Sequence, residues 1–171
     1  TARTEFYEFP AALPEVEKSS IREDLYRRDF TINTLAICLN PGSFGQLIDY
    51  FGGRQDIENG CIRILYNLSF VEDPTRILRA IRFEQRYNFK IESDTLRFAQ
   101  DAIARRLLRK LSYKRILQEL MLILSERNPL PALTRMGEIG VWQYILPEVD
   151  LDKLNYTRLK RVPIVSGWAA E

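Results

Sequence analysis

Val71-Glu72-Asp73-Pro74-Thr75-Arg76-Ile77-Leu78-Arg79-Ala80-Ile81-Arg82-Phe83 decides how the rest of the chain is read. Asp-Pro opens a helix: the Asp side chain can cap, and proline tolerates the first helical position because its missing N–H had no partner there. Ile77, Leu78, Ile81 and Phe83 recur at helical spacing, while Arg76, Arg79 and Arg82 fall three apart, neighbours on a helix surface. The spacing predicts one helix over 72–87. At about 1.5 Å per residue, Asp73 to Arg82 spans roughly 13 Å, comparable to an extended nucleoside triphosphate. A carboxylate at the positive end of a helix, followed by three guanidiniums, suits a base at one end and phosphates at the other.

Hydrogen-bond chemistry sharpens the base end. A carboxylate accepts from an exocyclic amine, and a guanidinium donates to a ring nitrogen or carbonyl. Adenine and cytosine each present an amine beside a ring acceptor, whereas uracil and guanine present the reverse. An Asp73–Arg76 pair would thus select A and C, with Glu72 holding Arg76 in position. A plainer reading stays open: Asp73 merely caps, and the arginines form a solvated face with Glu72 and Glu84.

At 171 residues the chain has room for one domain or two small ones. Its 46% hydrophobic and 28% charged residues are those of an ordinary globular protein. A formal net charge of +2 does not by itself imply nucleic acid, so clustering matters more. Arg105, Arg106, Arg109, Lys110, Lys114 and Arg115 crowd together, as a solvated helix face or a phosphate-binding patch. Cys38 and Cys61 lack CxxC spacing and read as free thiols in a reducing compartment. The absence of histidine excludes imidazole catalysis and His-ligated metals within the chain. No apolar run approaches the roughly 18 residues of a membrane span, and no secretion signal opens the chain, so a cytoplasmic setting is expected. The abrupt start at Thr1, without methionine, suggests a fragment.

Residues 1–20 carry Pro10 and Pro14 among acids and aromatics, an extended entry followed by a loop. Ser19-Ser20-Ile21-x-x-Asp24 caps a short helix expected to carry Arg27 through Ala36. A strand follows at 35–39, Asn40-Pro41-Gly42-Ser43 turns, and Gln46-Leu47-Ile48-Asp49 returns. Gly52-Gly53 suggests a loop or hinge, and Cys61–Leu65 alternates as a last short strand. Beyond residue 70 the pattern turns helical. Asp94 is expected to cap a helix running to about 107, and Ser112 a third with a thick apolar stripe of Ile116, Leu117, Leu120, Met121, Ile123 and Leu124. Pro131 opens a further helix ending at Gly137/Gly140, and Val141–Ile145 forms a short one.

Three motifs stand in a fixed order: Arg27-Arg28-Asp29-Phe30-Thr31-Ile32-Asn33, Asp49-x-x-Gly52-Gly53-x-x-Asp56, and Glu72-Asp73-Pro74-x-Arg76-x-x-Arg79-Ala80-x-Arg82-Phe83. Together they resemble the class II tRNA nucleotidyltransferases, namely the CCA-adding, A-adding and CC-adding enzymes and bacterial poly(A) polymerases. The resemblance implies an α+β, mostly α chain. The end of a nucleotidyltransferase head, with a small mixed sheet, would occupy 1–66; a helical neck with the nucleotide-reading helix 67–127; and the start of a helical body 128–171. It implies Asp73 and Arg76 as readers of the base of ATP or CTP, supported by Glu72. Arg79 and Arg82 would hold the nucleotide, and Arg28 would lie near the ribose and phosphates. Asp29 and Asn33 match sugar-side or structural partners, and Asp49, Gly52, Gly53 and Asp56 the hinge between head and neck.

The family's head begins with Gly-Ser and a strand bearing an Asp-x-Asp pair that binds magnesium for an in-line displacement. Here Gly42-Ser43 is followed by Phe44-Gly45, and Asp150-Leu151-Asp152 lies after Leu146-Pro147, where it reads as surface acids. No catalytic residue and no metal ligand is therefore assigned in this chain, and carboxylates for Mg2+ are expected upstream of Thr1. The leading expectation is a template-independent RNA nucleotidyltransferase adding A, or C and A, to tRNA 3′ ends. This chain would carry its base-reading and triphosphate-binding part and be inactive alone. Expected partners are the 3′ end of tRNA or another RNA, ATP and CTP, with no membrane. Lys110, Lys114 and Arg115 are candidates for RNA backbone contacts. The alternatives are a non-catalytic RNA- or nucleotide-binding module with a degenerate or missing active site, and an assembly fragment whose arginines only hold acids. Because one Asp–Arg edge serves A-adding, CCA-adding and poly(A) synthesis, the motifs do not choose among them.

Overall fold

The computed structural model describes residues 2–145, so Asp150, Asp152 and the rest of the tail lie outside the described residues. Arg3–Phe6 (β1) and Glu15–Lys18 (β2) pair antiparallel, with Arg3 opposite Lys18. The loop expected there is thus half of a hairpin; every residue of β2 is exposed, so no buried alternation marked it. Ile21–Tyr26 (α1) starts at Ser20 with a capping box: the Ser20 hydroxyl accepts from the Glu23 amide, and the Glu23 carboxylate from the Ser20 amide. The helix stops well short of Ala36. Arg27 to Phe30 turn, and Thr31–Asn33 makes one 3₁₀ segment.

Ala36–Ile37 (β3) and Leu47–Ile48 (β4) form the expected hairpin. Gly53–Glu58 (α2) follows, and its two glycines are not a loose joint. Gly52 sits at φ +75°, where glycine is favoured, and a Cβ on Gly53 would meet the Thr31 carbonyl oxygen at 2.3 Å. The Asp49 carboxylate accepts from the Gly53 and Arg54 amides at 2.9 and 3.0 Å. Asp56 accepts from the Thr31 hydroxyl at 2.6 Å and from Arg63 at 3.1 Å. The motif therefore clamps α2 onto the 3₁₀ turn.

Cys61–Ile62 (β5) pairs in parallel with Lys90–Ile91 (β6). Between them, the single helix expected over 72–87 is two, Ser69–Glu72 (α3) and Thr75–Tyr87 (α4). Asp73 is extended (φ −132°, ψ 91°) because Pro74 pushes the residue before it out of the helical region. It still caps α4, its Oδ1 accepting from the Thr75 amide at 2.9 Å. Ser93–Ala104 (α5) is capped by Glu92 rather than Asp94: the Glu92 carboxylate takes the Thr95 amide at 2.8 Å, while Asp94 pairs with Arg97. The helix ends before 107 because Arg106 adopts φ 59°, ahead of a 3₁₀ turn at Leu107–Lys110. Tyr113–Leu124 (α6), capped by Ser112 as expected, leads to Leu130–Glu138 (α7) and Trp142–Ile145 (α8).

The described chain is mostly helical with three small sheets. α4 is central, with Ile77, Leu78, Ala80 and Ile81 sealed from solvent. One apolar cluster runs from Phe30, Ile62 and Ile64 through α4 to Leu108, Ile123, Met136 and Val141. Each fully buried Ile or Leu there contributes about 1.5–3 kcal/mol. This core crosses residue 66, where the motifs suggested the head ends, and Phe30 also bridges to Ile64. On α6 the apolar stripe is half covered: Ile116 and Ile123 are buried, whereas Leu117, Met121 and Leu124 are exposed. No described helix is long and apolar enough to cross a membrane.

Candidate functional site

A cavity of about 750 Å³ opens between β1, the Arg27–Asn33 turn, the Asp73 break, α4 and α6. Of the residues the resemblance grouped, Arg28, Asp29, Asn33, Asp73, Arg76 and Arg79 line it, Glu72 and Arg82 do not, and Arg115 joins them. The turn brings Arg28 and Asp29 to the cavity because Phe30 is fully buried in the core beside them.

Asp73 uses its two oxygens differently. Oδ1 accepts from the Thr75 amide and hydroxyl and, at 2.7 Å, from Arg115 Nη2. Oδ2 has no hydrogen-bond partner among the described residues, which leaves it for a ligand. Arg76 is only 5% exposed. Its Nη1 donates to the Ser69 hydroxyl at 2.7 Å and the Tyr66 phenol at 3.2 Å, and its Nη2 to the Arg27 carbonyl at 2.9 Å. These acceptors are neutral, and among the described residues Arg76 has no carboxylate partner. Burial pulls its pKa down, but Tyr66, Tyr7 and Asp73 together outweigh burial and hold the guanidinium above the usual arginine value. A buried positive charge answered only by neutral oxygens favours an anion or a strong acceptor beside it.

The sequence led us to expect Glu72 to hold Arg76, but the two make no direct hydrogen bond or ion pair. It ends α3, across the Asp73-Pro74 break from Arg76, and accepts instead from the Tyr66 phenol. Burial first, and the Glu72 hydrogen bond with it, push Tyr66 up to about 12 against the opposing Arg76 charge.

Arg79 and Arg82 are answered within the protein. Arg79 donates to Asp29 Oδ2 from Nε and Nη2 at 2.8 and 2.6 Å, and to Glu119 at 3.2 Å. Asp29 Oδ1 takes the Phe30 amide and Asn33 Nδ2, so Asp29 and Asn33 lock the turn against α4. Arg82, 6% exposed, lies behind the cavity wall, with Glu119 at 3.3 Å and Glu126 at 3.9 Å. Arg28 reaches Asp24 at 3.4 Å along the cavity rim.

Of the basic run, Lys110 and Lys114 are exposed and outside the cavity, whereas Arg115 turns in to Asp73 and to the Ala11 carbonyl. The three do not share one surface. Sequence reasoning missed Tyr66, Ser69 and Glu119, and Tyr7, which lines the cavity from beyond β1. Glu119 carried a usable signal, an acid set on the buried side of α6 beside Ile116 and Ile123. Among the described residues, no group of three or more His, Cys, Asp or Glu side chains can hold a metal ion.

Residues 1–63 match the Poly A polymerase head domain, and residues 88–152 match the probable RNA and SrmB-binding site of polymerase A. The chain is 51% identical, over 98% of its length, to the A-adding tRNA nucleotidyltransferase of Geobacter sulfurreducens, of which it covers 19%. The fold superposes on a CCA-adding enzyme in an apo form with a TM-score of 0.90, at 50% identity, covering 94% of this chain and 38% of that one. A CCA-adding enzyme in complex with ATP matches with a TM-score of 0.74 at 53% identity, covering 75% of this chain and 31% of that one. The chain therefore spans only part of each of these proteins. Head-domain sequence and helical fold together define a piece of a protein of the poly(A) polymerase class. The chain belongs to the family of tRNA nucleotidyltransferases and poly(A) polymerases.

Proposed function

We propose that the whole protein adds A, or C and A, to tRNA 3′ ends without a template, and that this chain reads the incoming base. The half-open Asp73–Arg76 pair carries the reading. Among the described residues, Asp73 Oδ2 has no partner to displace, and Arg76 keeps donors that no acceptor uses. A carboxylate oxygen beside guanidinium donors fits the amine and ring nitrogen of adenine or cytosine. Arg28 and Arg79 take the sugar and triphosphate side, and Arg82 acts from behind through Glu119.

In the reaction, the RNA 3′ oxygen forms a bond to the α-phosphorus, the bond to the pyrophosphate oxygen breaks, and the hydroxyl proton is lost. This chain's part is to bind and orient the nucleotide, which counts heavily in phosphoryl transfer. Among the described residues no group of three or more acids, Cys or His fits a metal ion such as Mg2+. We assign the ion and its carboxylates to a part of the whole protein outside this chain, and the protein to the cytoplasm. Lys110 and Lys114 are proposed to touch RNA phosphates.

Labelled ATP, CTP, UTP and GTP offered to the whole protein, with tRNA lacking its terminal adenosine, test the reading. Incorporation of A above U and G by the whole protein, and none by the isolated chain, supports it. Equal use of all four nucleotides, or incorporation by the chain alone, overturns it.

A further inference from the structure

A polar line runs behind Arg76, through the Tyr66 phenol to Glu72. A carboxylate can only accept and a guanidinium can only donate, so the Tyr66 phenol between them has one possible polarity. It gives its proton to Glu72 and turns its lone pairs to Arg76 Nη1, 3.2 Å away. The Ser69 hydroxyl takes a second Nη1 hydrogen at 2.7 Å, and the Arg27 carbonyl takes one from Nη2 at 2.9 Å. A guanidinium has five N–H donors, and three are now held. One on Nε and one on Nη2 remain, on the residue that lines the cavity beside Asp73.

The Tyr66 ring is itself fixed. It stacks against Tyr26 at 5.2 Å between centroids and carries Arg76 over its face at 6.0 Å. A phenol raised to about 12 stays protonated throughout the working pH range, so the polarity does not reverse. Glu72 lies beyond the break and has no hydrogen bond to Arg76, so the hydrogen-bonded link between the two runs through this hydroxyl.

We propose that Tyr66 is a positioning residue for base choice, relaying Glu72 to Arg76 so that the two remaining donors meet the base at a fixed angle. This rests on the reading of Asp73 and Arg76 as the base-reading pair. Tyr66→Phe keeps the ring and removes the relay. Without it the guanidinium can pivot about its remaining bonds, and an edge that turns accepts the wrong base more readily.

The test compares kcat/KM for ATP, CTP, UTP and GTP in the whole protein and its Tyr66→Phe, Glu72→Leu, double and Arg76→Lys variants. Tyr66→Phe is expected to lower discrimination of ATP over UTP and GTP by about tenfold, mainly through KM. The ratio is taken between substrates on one preparation, so a smaller folded fraction does not alter it. Glu72→Leu should lower the ratio similarly, and the double variant no further than either alone, since both cut one line. Additive losses, or an unchanged ratio in Tyr66→Phe while Arg76→Lys loses it, overturn the relay and leave the base-reading pair standing. An unchanged ratio in Arg76→Lys overturns the base-reading pair itself, and the relay with it.

Discussion

Arg115 Nη2 stands 2.7 Å from Asp73 Oδ1, across 42 residues of sequence, and the same guanidinium reaches the Ala11 carbonyl at 3.2 Å. One side chain of α6 thus fixes both the break before α4 and the chain leading to β2. The carboxylate assigned to the base is aimed by an arginine that the sequence alone placed among RNA contacts.

Arg115→Ala should therefore act on the nucleotide rather than on RNA. Stability should fall by about 1.5–3 kcal/mol, the range for a hydrogen bond to a charged group, and ATP and CTP should bind more weakly. The salt dependence of tRNA binding should stay as it is. Lys110→Glu with Lys114→Glu should flatten that dependence, by about one unit of slope per lost phosphate contact. Filter binding across a salt series checks both, and a flatter slope in Arg115→Ala would return it to the RNA surface.

Asp73→Asn separates capping from base reading. The amide oxygen can still take the Thr75 amide and Arg115, so stability should change by less than the roughly 1 kcal/mol of a lost cap. The open position, however, becomes an N–H₂ donor and no longer accepts the amine of adenine or cytosine. Preference for ATP and CTP over UTP and GTP should shrink or reverse in nucleotide titrations. Unchanged preference would leave Asp73 as a cap alone.

Arg82→Ala is expected to behave as a core mutation. It leaves Glu119 facing Arg79 alone in a buried setting. Breaking one partner of a buried pair costs about 3–5 kcal/mol. Thermal melts should show that loss, and the surviving folded protein should keep its base preference, because Arg82 lies outside the cavity.

Glu92 supplies an acid limb to stability. Burial raises its pKa, but the Asp94 and Thr95 amides outweigh burial and hold it at about 2, below its ordinary 4.5. A depressed carboxyl contributes stability that is present above its ordinary value and lost as pH falls through the folded value. α5 should loosen between about pH 4.5 and 2. Glu92→Ala should cost about 1 kcal/mol at neutral pH and remove that limb from denaturation curves.

Much of this was legible because it rests on local chemistry. The capping box at Ser20, the cap at Ser112 and the 36–48 hairpin each need only a few neighbouring residues. Asp73 and Arg76 were singled out by what carboxylates and guanidiniums can donate or accept, and both line one cavity. The β1–β2 hairpin left no trace because the residues of β2 are all exposed. The β5–β6 pairing joins residues separated by a whole helix, and no short window contains it. Whether Glu92 or Asp94 caps α5 depends on which carboxylate reaches the Thr95 amide, a matter of reach rather than residue type. Tyr66 and Ser69 were missed because their partner lies on the next helix, seen only once Pro74 has turned the chain.

The parallel pairing of Cys61 with Lys90, beside the Phe30–Ile64 bridge, also governs how the molecule can be recombined. A chimaera that takes residues 1–66 from one relative and the remainder from another cuts through a shared core and leaves both halves of that small sheet mismatched. Exchange in the Ser125–Asn128 connection, after α6 and exposed except at Glu126, severs no strand pairing. Donor modules for altered nucleotide choice should thus be excised with β1 through α6 intact, inherited as one block.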